Sequence, residues 1–123
     1  YDHANITAAR RLARLSETPG AEADLEFALR LVADLYPFDP GPHARLGRML
    51  VDKKRFAEAL TEFEVALALG PANVAEAHAD AGEVLLELGR RDEARAQALA
   101  ALKVAPAYAR AQDLLLLAMG KQQ

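Results

Sequence analysis

His43 and His78 stand 35 residues apart and are the first side chains whose type and spacing invite a chemical reading. An imidazole can bind a metal or carry a proton near neutral pH. A zinc site, however, needs three or four converging ligands. This chain has no cysteine to complete such a set, and its remaining histidine, His3, lies in the N-terminal stretch. The carboxylate pairs Glu62/Glu64 and Asp92/Glu93 offer acid–base groups. Both pairs fall on expected solvated helix faces, with no glycine-rich phosphate loop beside them. Ser16, the only serine, ends an expected helix and has no base placed to activate it. No catalytic residue, metal or cofactor is therefore expected, and the pattern argues against a stand-alone enzyme. The two histidines are read as half-buried packing residues.

Both histidines belong to a skeleton that occurs twice. The first copy reads His43-x2-Leu46-Gly47-x2-Leu50, then Ala59-x3-Phe63-x2-Ala66, then Pro71. The second reads His78-x2-Ala81-Gly82-x2-Leu85, then Ala94-x3-Ala98-x2-Ala101, then Pro106. This skeleton resembles the tetratricopeptide repeat (TPR), a helix–turn–helix unit whose pattern is aromatic, Leu-Gly, aromatic, then Ala, Phe, Ala and Pro. His43 and Leu50 depart from it, standing where the two aromatics of the first helix usually sit. A glycine inside a helix costs about 1 kcal/mol relative to alanine. Gly47 and Gly82 are therefore read as packing positions, where a missing Cβ lets each repeat's two helices approach closely.

The elements that must position these residues follow from stop and start signals. One helix is expected from about Asn5 or Thr7 to Ser16, ended by Thr18-Pro19-Gly20, and a second from there to about Tyr36, ended by Pro37. Pro37 precedes Pro71 by 34 residues, so residues 6–39 read as a degenerate first repeat. The second repeat, about 40–73, opens at Gly41-Pro42 and closes at Gly70-Pro71. The third, about 75–108, opens at Asn73-x-x-Glu76, which has capping-box spacing, and closes at Pro106. A last helix at about 107–119 carries Leu114 to Leu117 and closes the apolar face that a stack of repeats leaves open. The expected fold is all-α: three TPR-like repeats plus a C-terminal capping helix, with the right-handed solenoid coil that the resemblance implies. Its seams should bury Leu46, Leu50, Phe56, Phe63 and Leu67 in the second repeat, and Ala81, Leu85, Leu88, Ala94 and Leu99 in the third.

The resemblance also implies where a ligand goes: a concave groove lined by the first helix of every repeat. The groove positions hold Arg10, Arg11, Arg14 and Glu17 in the first repeat, then Arg45, Arg48 and Asp52, then Glu76, Asp80, Glu83 and Glu87. The site residues expected to bind a peptide are Arg10, Arg14, Arg45 and Arg48 toward the N-terminus, and Glu76, Asp80, Glu83 and Glu87 toward the C-terminus. Arg10 and Arg14 match positions where chaperone-binding relatives grip a peptide's terminal carboxylate. Arg45, Glu76 and Asp80 break that pattern and argue against a full carboxylate clamp. Two readings stay open: a charge-polarised groove for a peptide, or internal pairing of Arg45 and Arg48 with Asp80 and Glu83.

Composition agrees with a helical scaffold. The 123-residue chain is one domain's worth, rich in alanine, leucine and arginine, and only 6% aromatic, so its core must come from close Ala and Leu contacts. A net charge of −3 argues against a nucleic-acid binder, which would show a strongly basic face. No apolar run approaches a membrane span. The chain starts at Tyr1 and ends Lys121-Gln122-Gln123, and it is read as the C-terminal part of a longer polypeptide. Its compartment is open, with cytoplasm favoured over periplasm. The function expected is a non-catalytic module that binds a protein or peptide partner. The alternative is an accessory or dimerisation domain at the C-terminus of a larger bacterial enzyme such as a peptidase or transferase. The leucine-rich last helix offers a route to a homodimer.

Overall fold

A computed structural model describes residues 22–120, which form six α-helices and no strand. They are α1 (Glu22–Leu35), α2 (Pro40–Asp52), α3 (Phe56–Leu69), α4 (Val74–Glu87), α5 (Arg91–Val104) and α6 (Ala109–Ala118). The helix expected between Asn5 and Ser16, the Thr18-Pro19-Gly20 turn, and Arg10, Arg11, Arg14 and Glu17 lie outside the described residues. Helices α2 and α3 form one hairpin, α4 and α5 the next, and each hairpin packs on its neighbour. The last helix, α6, lies on α5 and also touches α4. Tyr108, in the turn before it, packs beside the small core of Ala75, Ala101 and Ala111.

The helix ends follow local chemistry. Asp39 caps α2, its carboxylate accepting from the Gly41 amide at 2.9 Å, with Pro40 at the first helical position. The start therefore lies earlier than Gly41-Pro42, because an aspartate side chain caps a helix better than a glycine. Asn73 caps α4 in the expected register, accepting from the Glu76 amide at 3.0 Å. Gly70, with φ 85°, ends α3, and Gly89, with φ 78°, makes the α4–α5 turn. Lys54, with φ 62°, takes the same left-handed role in the α2–α3 turn without the freedom of glycine.

Small side chains bring the helices close. A Cβ on Gly47 would come within 2.7 Å of Phe63 Cδ1, so α2 lies directly against the ring carried by α3. A Cβ on Gly82 would first strike Leu114 Cδ2 of α6, with Gln97 Cβ of α5 at 3.2 Å behind it. Ala98 takes Phe63's place in the third repeat and is too short to fill that space. The capping helix supplies the missing side chain. Leu46, Leu50, Ala81, Leu85 and Ala94 are buried as expected, and Phe56, Leu67 and Leu88 are half-buried against the same core. Leu99 is a correction: it is 51% exposed, one residue past the buried Ala98. Among the four consecutive leucines Leu114 is buried, whereas Leu116 is 48% exposed.

Helix α1 is joined to the α2–α3 hairpin by charge as well as by apolar contact. Glu26 accepts from Arg30 at 3.0 Å, from Arg55 at 3.1 Å and from Lys53 at 3.4 Å, so it links α1 to the α2–α3 turn. Burial opposes ionisation of Glu26, but the bonds from Arg30, Arg55 and Lys53 outweigh it and hold the carboxyl below its ordinary range. At the turn itself Arg55 clamps Glu58, which lowers the Glu58 carboxyl and raises the Arg55 guanidinium.

Candidate interaction groove

The histidines that invited chemistry sit across hairpins, not in a shared site. His43 Nδ1 lies 2.7 Å from Glu62 Oε1, and His78 Nδ1 lies 2.6 Å from Gln97 Oε1. Each pair ties the first helix of a hairpin to the second at the same repeat position, and both histidines are half-buried. They act as packing residues with a polar strap. Among the described residues, no three His, Cys, Asp or Glu side chains converge where a metal ion could be held.

An open groove of about 780 Å³ lies between α2, α4 and α6. Its apolar surface includes Val51, Phe56, Val84, Leu86, Leu114 and Leu117. Phe63 contributes to the floor, its ring held in place by the close approach of Gly47. The polar lining has two parts. Arg48, Asp80, Glu83 and Arg110 form one, and Asp52, Lys54, Glu87 and Asp113 the other.

The first part is internally bonded. Asp80 is a charged side chain with only 5% exposure, and it is gripped from two helices. Arg110 Nη2 of α6 donates to its Oδ1 at 2.6 Å, and Arg48 Nη2 of α2 donates to its Oδ2 at 3.3 Å. Arg110 also donates to Glu83 at 2.7 and 2.8 Å. Those bonds to Glu83 push the Arg110 guanidinium above its ordinary range; partial burial opposes the rise, and Asp80 and Tyr108 add to it. Arg48 further approaches Glu76 at 3.6 Å. In the second part, Asp52, Glu87 and Asp113 are exposed and have no cationic partner among the described residues.

Of the site residues expected from sequence, Arg48, Asp80, Glu83 and Glu87 line this groove. Glu76 lines a smaller recess of about 280 Å³ beside it, together with Arg48 and Asp80. Arg45 is exposed on α2 and lines neither of these two. Arg10 and Arg14 lie outside the described residues. Internal pairing involves Arg48 and not Arg45, and the cation that answers Glu83 is Arg110. Sequence reasoning missed Arg110, Asp113 and Lys54. The first two would have emerged had the last helix been read as a further groove-lining helix instead of an apolar lid.

No family model and no curated protein matches the chain. Solved structures do. MamA residues 41-end from Desulfovibrio magneticus RS-1 is similar at 28% identity and TM-score 0.82, over 94% of this chain and 65% of that one. An O-GlcNAc transferase mutant from Thermobaculum terrenum is similar at 27% identity and TM-score 0.75, over 96% of this chain and 22% of the transferase. The first TPR of Spaghetti (RPAP3), bound to an HSP90 peptide, has TM-score 0.81 at 17% identity, over 94% of this chain and 90% of that one. This chain thus spans about a fifth of the transferase and about two thirds of MamA. The described residues have a TPR-like fold, an all-α helical-repeat solenoid.

Proposed function

We propose that this TPR-like domain is a non-catalytic interaction module that takes a peptide or partner segment in the groove between α2, α4 and α6. The observation that carries this reading is the groove itself: about 780 Å³, open, with an apolar floor and charged rims. Apolar surface in a concavity, framed by a few polar groups, is what recognition sites offer. The HSP90 peptide bound to the RPAP3 domain supports the same reading by analogy of fold. A test is selection of a random peptide library on residues 1–123. Selected peptides should bind the wild-type chain and lose binding to Asp113→Trp, where an indole at an exposed rim position fills the groove. Equal binding to both proteins would overturn the reading.

A second reading rests on the transferase similarity, in which a chain like this one occupies 22% of a larger enzyme. Here the domain positions a catalytic part in a longer bacterial polypeptide, or joins two copies through α6, where Leu116 and Met119 are 48% and 44% exposed. A catalytic motif in the full gene product would support that accessory role. Light scattering tests the joining: a chain that stays monomeric up to about 1 mM, the limit of weak binding, contradicts it.

A further inference from the structure

We infer that the groove selects a cationic, apolar segment, and not a ligand that presents carboxylates to its arginines. This rests on the groove being the binding site and concerns only what it prefers.

Both arginines of the described groove are already committed. Arg48 and Arg110 hold Asp80 from opposite sides at 3.3 and 2.6 Å, and Arg110 holds Glu83 as well. An incoming carboxylate would have to share guanidinium groups whose charge Asp80 and Glu83 already balance, and drawing them away from Asp80 would leave a buried carboxylate short of its partners. A buried charge left unpaired is strongly unfavourable. That half of the groove is therefore charge-balanced and offers an acidic ligand no net attraction.

The other half is the reverse. Asp52 and Glu87 are the last residues of α2 and α4, and Asp113 of α6 lines the same groove. Helix C-termini carry a partial negative charge, so the backbone reinforces the two carboxylates that end α2 and α4. Lys54 is the single cation lining this half among the described residues. Beneath the rim lie Val51, Phe56, Leu86 and Leu117. An occupant that satisfies both features buries an apolar side chain on that floor and extends lysine or arginine to the carboxylates. A short amphipathic helix with basic residues flanking its anchors has this chemistry.

The test uses two labelled peptides of about twelve residues, alike in apolar anchors at i, i+4 and i+7. One carries lysines between the anchors and the other carries glutamates. Each is titrated into residues 1–123 at about 0.1 M and about 1 M salt, across which the screening length falls from about 10 to about 3 Å. The lysine peptide should bind at least about tenfold tighter at the lower salt, and the gap should narrow at the higher. The exposed, isosteric variant Asp52→Asn/Glu87→Gln/Asp113→Asn should abolish the preference without lowering the melting temperature. Equal or tighter binding of the glutamate peptide, still blocked by Asp113→Trp, overturns the charge preference and leaves the groove standing. Binding of the lysine peptide that Asp113→Trp does not weaken removes the groove reading and this inference with it. So does the failure of both peptides to bind at about 1 mM.

Discussion

Asp80 Oδ1 accepts from Arg110 Nη2 at 2.6 Å, and that bond fastens the capping helix to the wall of the groove it completes. The same carboxylate accepts from Arg48 on α2, so one buried aspartate joins three groove-lining helices. Its removal would leave two guanidinium groups facing each other without the anion between them. Asp80→Ala should cost about 1–3 kcal/mol, the range for deleting one partner of a buried polar contact. In a urea double-mutant cycle, Asp80→Ala and Arg110→Ala should couple by about 0.5–3 kcal/mol. Additivity within about 0.3 kcal/mol would mean that the pair contributes nothing of its own.

Phe63→Ala should be the most damaging single change in the α2–α3 hairpin, at about 3–5 kcal/mol, because it empties a core position. Gly47→Ala should also destabilise, since its new Cβ meets the Phe63 ring. The two changes should not add. With the ring gone, the extra methyl enters vacated space, so Gly47→Ala should cost less in the Phe63→Ala background. A thermal melt of Phe63→Ala within a degree or two of wild type would show that the register of the repeat is wrong.

Lys54 occupies a left-handed backbone conformation that glycine accepts freely. Lys54→Gly should raise stability by about 0.5–1 kcal/mol, the relief of strain exceeding the entropy that glycine adds to the unfolded chain. Lys54→Ala keeps the strain and should show no such gain. Chemical denaturation of the two variants compares them directly.

Glu26 gives the pH dependence a sign. Its folded carboxyl lies below the ordinary value of 4.5, held there by Arg30, Arg55 and Lys53 against burial. A depressed carboxyl binds its proton more weakly in the folded state, so its contribution is complete above the unfolded value and fades as pH falls through the folded one. Wild type should therefore be more stable than Glu26→Gln at pH 7, and the gap should close below about pH 4.5. A gap that persists unchanged into that acid range would show that the ion pairs are not its source.

Repetition is what made the hairpins legible. Gly47 and Gly82, Ala59 and Ala94, and Pro71 and Pro106 recur at one spacing, and the helices fall where that spacing puts them. Legibility failed where a position depends on something outside its own repeat. Leu99 looked like a core residue because it is a leucine, yet Ala98 holds the buried position and α6 fills the space in front of Gly82. The groove charges were legible only in part. The pairing of Arg48 with Asp80 was one of the two readings the sequence left open, but the part of Arg110, which bonds both Asp80 and Glu83, depends on how the last helix meets the others. Repeat spacing fixes which face a residue takes, and tertiary packing decides which opposite charge it meets.

The most direct test of the groove as the binding surface is amide chemical-shift mapping of the full chain, titrated with the lysine-bearing peptide. The account predicts that the perturbed amides cluster on the groove-facing turns of α2, α4 and α6, around Asp52, Glu87 and Asp113. Shifts confined to the outer faces of α3 and α5, around Glu64 and Leu99, would contradict it.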